Sequence, residues 1–114
     1  MYEIEYYRDA SGKKPVESFI DGLDLKMKAK TFGLVELLER YGPQLGMPFS
    51  RHLEDGIFEL RVVRGGDSAR ILYFFVVGKR IVLTHGFRKK TQKAPRWEIE
   101  RAKSIRKDWR ERNE

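Results

Sequence analysis

The sequence predicts an α+β domain: an antiparallel sheet of four to five strands, with two helices before it and one after it. Three observations carry this. Apolar residues recur at helical spacing between residues 15 and 41, switch to period two or to unbroken apolar runs between 49 and 87, and return to helical spacing after Pro95. Short turn signals separate the strands of the middle third, so consecutive strands pair as hairpins, a meander with its helices expected on one face. The 114 residues, 40% of them hydrophobic, make one domain with a core of its own, and no internal repeat or linker divides it.

Taken in order, Tyr2 to Tyr6 alternates and predicts a first strand. Ser11-Gly12 breaks it, and Pro15 opens a short helix through Val16, Phe19, Ile20 and Leu23 that ends near Gly22. A second helix is expected from Leu25 to Tyr41, with Met27, Leu34, Leu38 and Tyr41 as its buried stripe, stopped by Gly42-Pro43. Strands follow over Phe49–Glu54, Ile57–Val63, Ala69–Val77 and Arg80–Phe87. They are joined at Asp55-Gly56, Arg64-Gly65-Gly66-Asp67 and Gly78-Lys79. The run Ile71 to Val77 is apolar at every position, which suits a central strand covered on both faces. After a basic loop, Arg88 to Ala94, a last helix opens at Pro95 and reaches Arg110, with Ala102, Ile105 and Trp109 on one narrow face.

Charge narrows the function. The chain carries 24 Lys and Arg against 17 Asp and Glu, a net +7, but residues 1–78 sum to −1 and residues 79–114 to +8. An excess confined to the last third fits a surface for a polyanion, with solubility alone as the plainer reading. There is no cysteine, which excludes disulfides, thiolate metal sites and cysteine nucleophiles. His52 and His85 stand 33 residues apart outside any metal-binding motif, and Gly65-Gly66 is not followed by Gly-Lys-Ser/Thr, so no metal or nucleotide cofactor is expected. The N-terminus lacks a basic stretch followed by an apolar run, and no apolar segment is long enough to span a bilayer, so a cytoplasmic protein is expected.

What remains for chemistry is a set of cations on neighbouring strands. If the hairpin pairs Val63 with Ser68, Arg61 lies opposite Arg70 and Glu59 opposite Leu72, all on one face. Two arginines facing each other repel unless a carboxylate such as Glu59, or a bound anion, lies between them. Gly86, Arg88 and Lys90 alternate on one side of the last strand and its exit, with Phe87 and Lys89 on the other, and Gly86 leaves room for a close approach. Arg61 with Glu59 also reads as an ordinary surface ion pair, the lysines as loop solvation, and each histidine singly as structural.

Three segments in this order, His52-Leu53-Glu54-Asp55-Gly56-Ile57-Phe58-Glu59-Leu60-Arg61, Ala69-Arg70-Ile71-Leu72-Tyr73-Phe74-Phe75 and His85-Gly86-Phe87-Arg88-Lys89-Lys90-Thr91-Gln92-Lys93-Ala94-Pro95, resemble the phage-derived HigB-like toxins of the RelE/ParE superfamily. The resemblance covers nearly the whole chain. It implies a RelE-like fold and the toxin of a bacterial type II toxin–antitoxin pair, an endoribonuclease (mRNA interferase) that cuts mRNA on the ribosome without a metal. The family's strand arginine matches Arg70 and its arginine after the last strand Arg88, while Arg61, Lys89 and Lys90 match motif positions of the subgroup. Catalytic roles are therefore expected for Arg61, Arg70, Arg88 and Lys90; Glu59, a carboxylate among cations, is the candidate base with His85 or His52 in reserve, and RNA contacts are expected from Lys89, Lys93, His85 and His52. The implied partners are a helix-turn-helix antitoxin, the ribosome and mRNA. RelE itself carries paired lysines where this chain has Ile57 and Glu59, and a C-terminal tyrosine where this chain has none after Tyr73. A ParE-like inhibitor of DNA gyrase, with the same fold and no nuclease chemistry, is the alternative; an inactive RNA- or ribosome-binding domain is a third.

Overall fold

The computed structural model describes residues 1–90 and 93–114. Strand β1 (Glu3–Tyr6) is followed by helices α1 (Pro15–Asp21) and α2 (Leu25–Tyr41), then strands β2 (Ser50–Glu54), β3 (Ile57–Arg64), β4 (Asp67–Val76) and β5 (Arg80–Arg88), and finally helix α3 (Arg96–Asn113). Local chemistry marks the boundaries. Pro15 stands in the first turn of α1. The Asp24 carboxylate caps α2 by accepting from the Met27 N–H at 2.9 Å. At the β2–β3 turn, Asp55 and Gly56 have φ of 49° and 75°, the left-handed pair that a tight hairpin between twisted strands requires.

The five strands form one sheet in the order β1-β5-β4-β3-β2. Strands β2 to β5 make the expected antiparallel meander, and the Val63–Ser68 register places Arg61 opposite Arg70. Two expectations need correcting. Strand β1 runs parallel to β5, because α1 and α2 carry the chain from one edge of the sheet to the other. The helices also cover both faces rather than one. Val16, Ile20, Met27, Leu34 and Leu38 of α1 and α2 pack on Leu60, Val62, Ile71, Tyr73 and Leu83. Ala102, Ile105 and Trp109 of α3 pack on Ile57, Leu72, Phe74 and Val82. A strand apolar on both sides, as β4 is, demands two covers, and each fully buried side chain of this size contributes about 1.5–3 kcal/mol. Tyr41, expected in the buried stripe of α2, is 45% exposed at the helix end.

Two irregularities in the sheet decide where the functional side chains point. Between His52 and Glu54 the β2–β3 register slips by one, leaving Leu53 outside the pairing, so Arg51 rather than His52 stands opposite Glu59. Between Leu72 and Tyr73 the β4–β5 register slips likewise and leaves Thr84 over, so Phe87 faces Arg70 and Arg88 faces Ala69. A one-residue slip sends every later side chain to the opposite face.

Candidate phosphate-binding site

The site is built around a buried carboxylate. Glu59, at the middle of β3, has no exposed surface and lies on the α3 face of the sheet, beyond the part that the helix covers with apolar side chains. Three guanidiniums surround it: Arg51 Nη2 at 3.3 Å and Arg61 Nε at 3.7 Å from Oε2, and Arg70 Nε at 3.3 Å from Oε1. They arrive from three neighbouring strands, because Arg51 pairs with Glu59 across β2–β3 and Arg61 with Arg70 across β3–β4.

Contact is close, but hydrogen bonding is incomplete. Neither oxygen of Glu59 makes a hydrogen bond, and the buried Nε groups of Arg61 and Arg70 make none either. These four buried atoms instead meet as ion pairs at 3.3 to 3.7 Å, held by charge rather than by directed hydrogen bonds. Arg70 is nevertheless held firmly. Its Nη1 donates to Ser68 Oγ at 2.8 Å and to the Ala69 carbonyl at 3.0 Å. Burial pushes its pKa below the ordinary arginine value, with Arg61 and Arg51 adding to the effect and Glu59 opposing it. Lys89 belongs to the same field: its N–H donates to the Ser68 carbonyl, and burial and then Arg70 draw its pKa below the usual lysine value. Exposure grades outward, from 5% for the Arg70 side chain to 24% for Arg61 and 46% for Arg51. A fixed guanidinium lies at the bottom and two movable ones at the mouth, an arrangement suited to an anion with several oxygens.

The structure thus joins Glu59, Arg61, Arg70 and Lys89 and adds Arg51, which sequence reasoning missed. It separates the other expected members. Arg88 shares the α1–α2 side with Ala69 and is an exposed partner of Asp67 at 3.9 Å, so it does not join Arg70. Lys90 is exposed just beyond the end of β5, and Lys93 is an exposed residue beside a groove with Arg51 and Arg96. Thr91 and Gln92, part of the motif segment, lie outside the described residues. His52 pairs with Phe58 on the α1–α2 side, where its Nε2 accepts from the Gly56 N–H at 3.1 Å. Gly86 leaves room not for a ligand but for Phe19: a Cβ there would stand 2.4 Å from that ring.

His85 is fully buried and tied to α3. Its Nε2 lies 2.9 Å from Glu98 Oε1 and its Nδ1 3.1 Å from Thr84 Oγ1. The Thr84 hydroxyl gives its only proton to the Leu72 carbonyl, so it accepts from Nδ1–H of His85. Nε2 and Glu98 Oε1 then share one proton across 2.9 Å, and with that proton on the carboxyl the pair carries no charge. Burial favours this uncharged pair from both sides, lowering His85 to about 3 and raising Glu98. His85 therefore lies under the sheet surface and fastens the first turn of α3 to β5. The described residues hold no group of three or more acidic, histidine or cysteine side chains that could bind a metal, and no helix among them is long and apolar enough to cross a membrane.

Residues 18–107, from α1 through most of α3 and including every residue of the Glu59 cluster, match the family of phage-derived Gp49-like proteins (DUF891). The chain belongs to the Gp49-like family. This is a toxin-like family related to the RelE/ParE-type toxins. The curated proteins searched include none that matches. Within the Gp49-like match, the cluster occupies the two hairpins β2–β3 and β3–β4 and the exit of β5; β1 lies outside it.

Proposed function

We propose that this Gp49-like protein is the HigB-like toxin of a bacterial type II toxin–antitoxin pair and acts as a ribosome-dependent mRNA interferase. The reading rests on one observation: a buried carboxylate and two guanidinium Nε groups, all without hydrogen bonds, ringed by three arginines that open to solvent on one side. RNA breaks without a metal when a ribose 2′-OH attacks the adjacent phosphorus. The 2′-oxygen–phosphorus bond forms, the bond to the 5′-oxygen breaks, and a 2′,3′-cyclic phosphate and a 5′-OH result. Charge on the phosphorane is the principal barrier, and preorganised guanidiniums reduce it.

In this scheme Arg70, fixed by Ser68 and Ala69, grips the scissile phosphate. Arg51 and Arg61, both partly exposed, turn from Glu59 onto the phosphate oxygens. That movement uncovers a Glu59 oxygen, which takes the 2′-OH proton. Lys89, whose pKa is already lowered, returns a proton to the departing 5′-oxygen. The basic C-terminal third contacts ribosome and mRNA, and a helix-turn-helix antitoxin encoded beside this chain covers part of that surface.

The test is to add purified protein to bacterial ribosomes programmed with a defined mRNA and to map both new ends. Cleavage leaving a 5′-OH and a cyclic phosphate is expected. Intact mRNA, with supercoiling by DNA gyrase blocked instead, would overturn the proposal in favour of a ParE-like role.

A further inference from the structure

Beside the clamp, on the side of Arg61, lies an apolar surface that the chemistry above does not use. Met47 is 59% exposed, Phe49 39% and Val63 46%. Phe49 and Val63, with Pro48 and Leu34, line a groove of about 250 Å³ that Arg61 and Lys30 also line, and Met47 stands beside it on Arg61. Isolated exposed apolar residues need no explanation, but three together in a strongly basic chain do. Arg61 links the two features. Its Nε lies 3.7 Å from Glu59, its Nη1 donates to Met47 Sδ at 3.2 Å, and its N–H donates to the Phe49 carbonyl at 2.8 Å.

We infer that this shelf is a nucleobase subsite: the base next to the scissile phosphate stacks on the Phe49 ring, with Met47 and Val63 at its edges. The inference rests on the mRNA-interferase reading. An aromatic face flanked by apolar side chains offers stacking to any base, and cations at its sides serve the phosphates on either hand. Arg61 meets one phosphate, and Lys30, which also lines the groove, meets a neighbouring one. A purely apolar partner would offer neither cation a counter-charge, which is why single-stranded nucleic acid is the occupant that fits. The shelf also gives the strand a direction, since the base enters from the β2–β3 edge while its phosphate descends toward Arg70.

The test is a double-mutant cycle on single-turnover cleavage, using ribosomes programmed with mRNAs in which each nucleotide of the A-site codon is made abasic in turn. For the wild type, one abasic position should slow cleavage about ten-fold or more, the scale of one lost base–aromatic stack. Phe49→Ala should slow cleavage of the intact mRNA equally and should make the same abasic position cost nothing further; Phe49→Tyr should restore both. If the two losses simply multiply, or if Phe49→Ala cuts like the wild type, the shelf is not a base subsite while the clamp stands. If the wild type leaves every programmed mRNA intact, the interferase reading falls and the inference with it.

Discussion

At the β2–β3 turn, Glu54 accepts from both Arg96 nitrogens and, at 2.5 Å, from Lys103; Arg106 donates to the Asp55 carboxylate at 2.8 Å. Further along the same hairpin, Glu59 is approached by Arg51, Arg61 and Arg70 at 3.3 to 3.7 Å and hydrogen-bonded by none. Both are carboxylates ringed by cations. The first lies partly in solvent, with its charges matched and directed, and it fastens α3 to the hairpin. The second is buried, carries more positive than negative charge and leaves four polar atoms unsatisfied. Matched charges close the first cluster on itself; the surplus of guanidiniums in the second leaves positive charge for an anion.

The contrast is broken most severely by removing the fixed guanidinium. Arg70→Ala is expected to lower ribosome-programmed cleavage about 10²–10³-fold, the cost of one preorganised charge stabiliser, with Arg70→Lys restoring little because an ammonium lacks the planar fork. Near wild-type cutting by Arg70→Ala would remove it from the site. Next comes Glu59→Gln, which keeps the shape and deletes the counter-charge. Mutual repulsion among the arginines should destabilise the fold by about 1–3 kcal/mol, less than for a sealed ion pair because Arg51 and Arg61 can turn to water. Inorganic phosphate should raise the melting temperature of Glu59→Gln more than that of the wild type; equal shifts would deny that the cluster accepts an anion.

The stapling network sharpens the comparison through pH. Hydrogen bonds from Arg96 and then Lys103 hold the Glu54 pKa down at about 2, against 4.5 for an ordinary glutamate. A depressed folded-state pKa stabilises above the unfolded value and is lost as pH falls through the folded one. The wild type should therefore lose stability between about pH 4.5 and pH 2, and Glu54→Gln should lose less over that window in acid melts. A smaller effect is expected at Glu98→Gln. Its amide N–H can still donate to His85 Nε2, so an uncharged pair predicts a change below about 1 kcal/mol in urea melts. A loss of about 3–5 kcal/mol would instead mean that a buried ion pair had been broken.

Most of the fold was legible because its periodicities are unambiguous. The apolar run of β4 announced a doubly covered centre, and Pro15, Gly42 and the Asp55-Gly56 turn stand where elements begin and end. The pairing of Arg61 with Arg70 followed from the length of one hairpin loop. Arg51 was missed, and Arg88 was grouped with Arg70, for the same physical reason. Regular pairing from the Asp55-Gly56 turn would set His52 against Glu59, and regular pairing from Gly78-Lys79 would put Arg88 on the side of Arg70. The irregularities at Leu53 and Thr84 instead set Arg51 against Glu59 and Arg88 on the opposite face from Arg70. A bulge has no strong local composition; Thr84 is explained only by its hydroxyl bond to Leu72, a contact between strands. The parallel placement of β1 is equally non-local, since it depends on how α1 and α2 cross the sheet.

These two slipped registers make the position of the reacting phosphate directly measurable. Single-turnover cleavage of one programmed mRNA should be compared for Arg51→Ala and Arg88→Ala. The geometry predicts a loss of about ten-fold or more for Arg51→Ala, which contacts Glu59, and less than about two-fold for Arg88→Ala, on the opposite side of the sheet. The reverse order would mean that the reacting phosphate does not sit at Glu59, and the site as described here would be wrong.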